Sequence, residues 1–486
     1  MSSSPTQASS PGGRGREDPE LGSAQGTSVL ERCASFAAAV RSGAVSVPPG
    51  PKRVAMESFV DTVAVMYSGL SEPVASITAE HARAMSAGNA GAALCAGGRA
   101  DPAWAAFANA SVAHAQDFDD HCPAVLGGHA SAILVPVALA VGEQAGSSGP
   151  DLLDAYVVGF EVMAALARGV NPWHYAAGFH PTSTLGTFGA AVTASYLLGL
   201  GERETVHALA MSASFASGLK VNFGTMVKPL HCGWASLAGI NAALLAGRGL
   251  EGNAFAYEGK QGFGEVHGGW RLGDQERPKD VRLGGEWFLE TSGMPLRKPW
   301  PCCGSIHSSI EAALRIRNEL GVAATELASV RVGVHPRRLP HTDRADPTSP
   351  AEARFSNQYC VATALLRGEL SQKDFAQEAL DDVDVRRVMQ LVDLREDTRF
   401  EARDPAMSSA SDFGAVVEVR TRSGEVYAEE VPKPLGGAGR PLPDGHVDQK
   451  FMNCASGELG TEAAAAFLDR LRSLEGASNV SGLWPQ

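Results

Sequence analysis

The sequence predicts a mainly helical protein with a smaller α+β region in its second half, and three observations predict it. From Ser28 to about Leu250, Ala, Leu, Val and Met recur at spacings of three and four, with breaks at Gly, Pro or Ser and no strand-like alternation. Near residue 294 the texture changes: Val330, Val332 and Val334 alternate with polar residues, and Ala415 to Val419 and Val426 to Val431 flank a Ser423-Gly424 turn, a hairpin signal. Beyond the Pro/Gly stretch from Pro432 to Pro443, helical spacing returns.

In chain order, residues 1–27 hold almost nothing apolar and read as a disordered tail. Helices are expected at about 29–42, 51–69, 72–87, 102–116, 130–145, 150–168, 182–199, 203–218 and 230–247, making 28–293 an all-helical domain. Residues 294–433 form the α+β domain, with helices at 305–320, 356–367 and 384–392 between the strand signals. The remainder, 434–486, is a linker followed by helices at 447–455 and 461–474.

At 486 residues the chain is long enough for two domains. A net charge of −13 argues against nucleic acid or an anionic membrane as partner, and it means that an anionic substrate needs a locally positive pocket. Eight cysteines are scattered without a CxxC pair, which weakens structural zinc, thioredoxin-like and iron–sulfur readings together. A reduced, cytoplasmic protein is expected. The longest apolar run, Ala132 to Val141, is ten residues, against the roughly 20 that span a bilayer. The N-terminus lacks an apolar signal core.

One polar stretch stands out between two apolar helices: His114-Ala-Gln-Asp117-Phe-Asp119-Asp120-His121, followed by Gly127-Gly128-His129. A solvated acidic loop has no need of that histidine density, whereas proton transfer does, because imidazole titrates near working pH. Three later segments share a second design. His180-Pro181, Lys228-Pro229-Leu230-His231 and Arg297-Lys298-Pro299-Trp300-Pro301 each put a basic residue at an expected helix start. The helix dipole favours anions there, so the repetition suggests cationic side chains and free backbone N–H groups converging on a bound anion. Tyr359, opening an apolar helix, reads on its own as a core residue. No GxSxG, GxxxxGK[ST] or GxGxxG after a strand occurs.

The Asp-Phe-Asp-Asp segment with a following His, Phe179-His180-Pro181, Lys228-Pro229-Leu230-His231, Lys298-x-x-Pro301 and Gln358-Tyr359, in this order over about 30–474, resemble the MmgE/PrpD family. That family includes 2-methylcitrate dehydratase, cis-aconitate decarboxylase and iminodisuccinate epimerase. The resemblance implies a large helical domain built from both ends of the chain with an inserted lid-like α+β domain. It implies a homodimer, no metal or organic cofactor, and an active site between the domains. Carried over by motif, the catalytic residues are Asp117, His121, His129, His180 and Tyr359, and the substrate contacts are Lys228, Lys298 and His231. Departures count against the decarboxylase and do not decide among the rest. His121 stands where Thr is expected in the decarboxylase branch, and Cys303 where His is often found.

The shared chemistry is making or consuming a carbanion next to a carboxylate of a small di- or tricarboxylic acid, with fixed positive charge stabilising the dianion-like species. A hydro-lyase like 2-methylcitrate dehydratase ranks first, an epimerase of an amino-dicarboxylic acid second, a decarboxylase third. A rival from another class is a metal-dependent hydrolase using His114, Asp117, Asp120 and His121 as ligands. A non-catalytic helical scaffold leaves the buried polar cluster without a purpose.

Overall fold

The computed structural model describes residues 26–87, 91–125, 128–270, 281, 283–291, 293–402, 413–437 and 439–485. The expected tail at 1–27 falls almost wholly outside them, as does Gly127. The protein is mainly helical, as its sequence predicts, and most helices begin where their residues supply an end signal. Ser28 and Ser148 cap Val29–Arg41 and Gly149–Val170 through capping boxes with Glu31 and Asp151. Prolines open Pro49–Gly69, Pro73–Met85, Pro102–Ala113 and Pro181–Leu198. Ser131–Ala145 and Pro181–Leu198 are buried on nearly every face, which is why their sequences are apolar all round. Together with Glu202–Phe215 and Val227–Ala246, these helices pack into one large apolar core. The departure from an all-helical reading is a two-residue antiparallel pair, β1 (Ala92–Ala93) with β2 (Arg99–Ala100).

A second, smaller apolar core collects buried residues between Cys302 and Val431. Its sheet has the order β4-β3-β5-β6, with β3 Leu327–Val334, β4 Val392–Glu396, β5 Ala415–Thr421 and β6 Val426–Val431. β3 pairs parallel with β4 and antiparallel with β5, so Val332 lies opposite both Leu394 and Val417. The hairpin β5–β6 is the expected one. Strand β4 is not: only Leu394 in it is buried, so it carries no alternation to read. Helices His307–Asn318 and Asn357–Arg367 pack on this sheet and on each other.

The chain then returns to the first core. Helices His446–Leu459 and Thr461–Arg472 pack against Pro49–Gly69, placing Val447, Phe451, Phe467 and Leu471 among residues from the other end of the sequence. No helix among the described residues is long and apolar enough to cross a membrane.

Candidate functional site

Helix Pro102–Ala113 ends at His114, and the chain turns with Asp117 in the left-handed region at φ 53°. Asp is one of the few residues to tolerate that conformation. The turn delivers His114, Asp117 and Asp119 into the interior, all of them buried. Helix Val227–Ala246 brings Lys228 to the same place. It can lie close to its neighbours because Gly233 and Gly239 carry no side chain. A Cβ at Gly233 would stand 2.4 Å from the Phe107 carbonyl oxygen, and one at Gly239 2.4 Å from Ala190 Cβ.

Asp119 organises two imidazoles. Its carboxylate accepts from His114 Nδ1–H at 2.8 Å and from His129 Nδ1–H at 2.9 Å, one on each oxygen. Burial pushes the Asp119 carboxyl up, but His114 and His129 outweigh it and hold it well below the usual carboxylate range. An ionised carboxylate only accepts, so both histidines must be Nδ1–H tautomers with Nε2 lone pairs. His114 Nε2 accepts from Lys228 Nζ at 2.6 Å. His129 Nε2 lies 3.8 Å from Asp117 Oδ1, and His129 is among the residues lining a cavity. Burial pushes the His129 imidazole down to about 3, with Asp119 opposing the shift, so the ring is neutral at working pH.

Asp117 is clasped by two ammonium groups. Lys228 Nζ donates to Oδ2 at 3.1 Å; Lys298 Nζ donates to Oδ1 and, at 2.6 Å, to the Asp117 carbonyl. Burial alone would raise the Asp117 carboxyl, and Lys228 and Lys298 instead hold it well below its usual range. The expected convergence of basic residues on an anion is therefore met by the lysines, and the anion is the protein's own. Lys298 is wholly buried with its ammonium on Asp117, and it is not among the residues that line the cavity. It also lies several residues ahead of helix His307–Asn318 rather than at its start.

A narrow cavity, with about 40 Å³ of free volume, lies between the two cores. Asp117, His121, His129, His180 and Lys228 line one side; Cys303, Ser305, Arg338, His341 and Phe413 come from the second half of the chain. His180, the residue before helix Pro181–Leu198, holds its Nδ1 2.9 Å from His231 Nδ1. His231 is not among the residues that line the cavity and meets it only through His180. Both ring nitrogens of His121 lack a hydrogen-bond partner among the described residues, and its ring packs 4.8 Å from Phe413. A Cβ at Gly304 would come within 2.5 Å of His121 Cε1, so the His121 ring needs a glycine there.

Tyr359 is not part of this arrangement. Its hydroxyl donates to the Asp374 carbonyl, its ring packs against Phe375 in the second core, and it does not line the cavity. The resemblance placed it in the site, and the structure packs it in the second core. Sequence reasoning also missed residues. Asp119 was visible in the motif but not singled out from its neighbours. Tyr175, Arg338 and His341 stand outside any motif, and no sequence signal marks them. Arg338 lies 4.0 Å over the Phe413 ring, and Ser305 Oγ and His341 Nε2 are 3.1 Å apart.

The metal reading regroups as well. The atoms close enough to share an ion belong to His114, Asp117, Asp119 and His129, all within 4.8 Å of one another. Asp120 and His121 are not among them. The charge such an ion would bring is already present, since Lys228 Nζ bonds both His114 Nε2 and Asp117 Oδ2. In this structure the Lys228 ammonium bonds two members of that donor set.

A buried cluster of imidazoles, carboxylates and lysines thus lies beside a cavity between a large helical core and a small α+β core. The MmgE/PrpD N-terminal domain model matches residues 31–273 and the C-terminal domain model residues 300–475, so the chain belongs to the MmgE/PrpD family. It is 30% identical over 396 residues to cis-aconitate decarboxylase of Homo sapiens, covering 79% of each chain. It is 28% identical to the Mus musculus protein of that name, covering 79% of this chain and 78% of that one. It is 25% identical over 359 residues to the mitochondrial 2-methylcitrate dehydratase of Yarrowia lipolytica, covering 69% of this chain and 66% of that one. Both kinds of relative are lyases.

Proposed function

We propose that this chain is a lyase acting on a small di- or tricarboxylic acid, with His129 Nε2 as the base that takes a proton α to a carboxylate. The observation that carries this reading is the Asp119 bridge. By accepting from both Nδ1–H groups it fixes the His129 tautomer, leaving the lone pair on Nε2 of a residue that lines the cavity. An anionic substrate places negative charge beside Nε2 and draws its proton affinity back up from the depressed value of the empty site. Lys228 on one side of the cavity and Arg338 on the other bind the substrate carboxylates and stabilise charge as it develops. His121 and His180 complete the lining. His121, short of partners, gives a hydrogen bond to the departing or migrating group.

Loss of water is the reaction placed first. Burial holds His121 and His180 well below the usual imidazole range. One of them delivers a proton to the leaving hydroxyl only after the anionic substrate has drawn its proton affinity up and it has taken a proton from solvent. Decarboxylation is the second reading, and the relatives named cis-aconitate decarboxylase favour it; there the imidazole returns a proton to carbon after CO₂ leaves. In this reading the second core serves as a lid, and the enzyme is a homodimer. Support for the dimer comes from the exposed apolar residues Phe215, Leu219, Val221, Met226 and Trp234. Eight free cysteines support a reducing, cytoplasmic location.

The test is incubation with 2-methylcitrate, cis-aconitate and a panel of related and amino-dicarboxylic acids in D₂O, read by NMR. Loss of water from a hydroxy acid supports the first reading; CO₂ release with one solvent deuteron placed on carbon supports the second. Deuterium exchange with inversion points to the epimerase. A protein that turns over none of these acids and exchanges no α-hydrogen sinks the proposal.

A further inference from the structure

Lys450 belongs to the returning helix His446–Leu459 and does not line the cavity, yet its ammonium is buried. It makes two hydrogen bonds to carbonyl oxygens and one ion pair. Nζ donates to the Phe118 carbonyl at 2.8 Å and to the Lys298 carbonyl at 3.2 Å, and lies 2.8 Å from Asp61 Oδ1. The same ammonium sits 3.8 Å over the Phe118 ring. These are not arbitrary carbonyls. Phe118 follows Asp117, whose backbone is held at φ 53°, and Lys298 is the residue whose own Nζ clasps Asp117. Lys298 bonds the Asp117 carbonyl, Lys450 bonds the next carbonyl along, and Lys450 also bonds the Lys298 carbonyl, which closes a ring of contacts.

We infer that Lys450 is a positioning residue: it fixes the Asp117–Phe118 backbone and the Lys298 segment against each other, and so holds the Asp117–lysine clasp in its working geometry. This rests on the reading of Asp117 as part of the working site. A non-glycine residue in the left-handed region costs energy and persists only where its surroundings over-determine it. Two ammonium groups on consecutive carbonyls are such surroundings. The inference also gives the C-terminal helices a role beyond filling the first core: they contribute the tie between two segments nearly two hundred residues apart in sequence.

The rival account is an ion pair that serves the fold alone. Removing one partner of a buried pair leaves a lone charge and destabilises strongly, whereas replacing both by groups of like size is often neutral. Two double variants use that difference: Asp61→Leu/Lys450→Met and Asp61→Asn/Lys450→Gln. Whichever keeps the wild-type thermal midpoint is carried into kinetics on the best acid of the panel and into crystallography. A positioning role expects kcat to fall roughly 100-fold, the scale of an ångström misplacement at a reacting centre, with KM changed much less. The crystal structure should show Asp117 leaving positive φ or Lys298 Nζ leaving its carboxylate. Wild-type kcat with the clasp intact would overturn the inference, and so would failure of both doubles to fold. If the wild-type protein turns over no panel acid, the functional reading fails separately, and the Asp117 backbone and Lys298 contact in the crystal still decide the role of Lys450.

Discussion

Asp117 and Asp119 lie within three residues of Asp120, in one buried turn, yet their carboxyls are shifted down and that of Asp120 is shifted up. Asp117 meets two lysines and Asp119 two imidazole N–H donors, so both are held ionised. Asp120 points away from them. It accepts from Ser131 Oγ at 2.5 Å in a neutral chain that continues to Tyr156 and Ser58, and burial, helped by Asp61, pushes its carboxyl up to about 7. Burial acts on all three alike; partners decide. A carboxylate kept charged in a dry interior can orient imidazoles and organise cations, while one pushed toward its neutral form joins a chain of hydroxyls.

The largest effect should come from breaking the charged half. His129→Gln removes the base, and general-base losses run at roughly 10²–10⁴-fold in rate. Asp119→Asn should lose nearly as much by releasing the tautomer. Because the two act as one unit, the double variant should be little worse than the poorer single, read as kcat/KM beside the thermal midpoint. Additive losses would separate them. Lys228→Met comes next, with kcat down by about 10²–10³-fold, the range for losing one fixed donor to developing charge. Arg338→Gln should act chiefly on binding, raising KM by roughly 10- to 100-fold, as expected for one charge-assisted hydrogen bond. An unchanged KM would remove Arg338 from the substrate site.

The legible and illegible parts of this site divide along the same line. Helical periodicity and proline starts were enough to place Pro102–Ala113, Ser131–Ala145, Pro181–Leu198 and Val227–Ala246 closely, and those helices carry His114, His129, His180 and Lys228 to one point. Residue type and position could not say which aspartate faces which base. Asp117, Asp119 and Asp120 differ through the direction of a turn that depends on one left-handed residue. Lys298 read as a helix-start cation, but its ammonium reaches back to a carboxylate in the other core. Tyr359 was drawn into the site by its motif, though its hydroxyl is used by a carbonyl in the second core. Arg338 and His341 come from a short segment after β3, where no periodicity marks them. Contacts between residues far apart in the chain set all of these, and a single sequence does not print them.

The smallest effect is a pH dependence, and its sign differs between the two halves. Asp120 has its folded value raised from 3.8 to about 7, so its contribution to stability is full below 3.8 and is lost as pH rises through about 7. Asp120→Asn should therefore gain on wild type in thermal midpoint between about pH 4 and 7. His129 is lowered from 6.5 to about 3, so its contribution is present above 6.5 and lost as pH falls toward 3. His129→Gln should gain on wild type in the acid direction instead. Parallel profiles for the two variants would contradict the division.

The most direct test of the Asp119 bridge needs no substrate. Protein labelled with ¹⁵N in its histidines, titrated by NMR and assigned by comparison with His129→Gln, reports which ring nitrogen carries the proton. The expected result is His129 neutral, protonated at Nδ1 and bare at Nε2, from neutral pH down toward about 3. A His129 ring that carries its proton on Nε2, or that becomes cationic near pH 6.5, would contradict it.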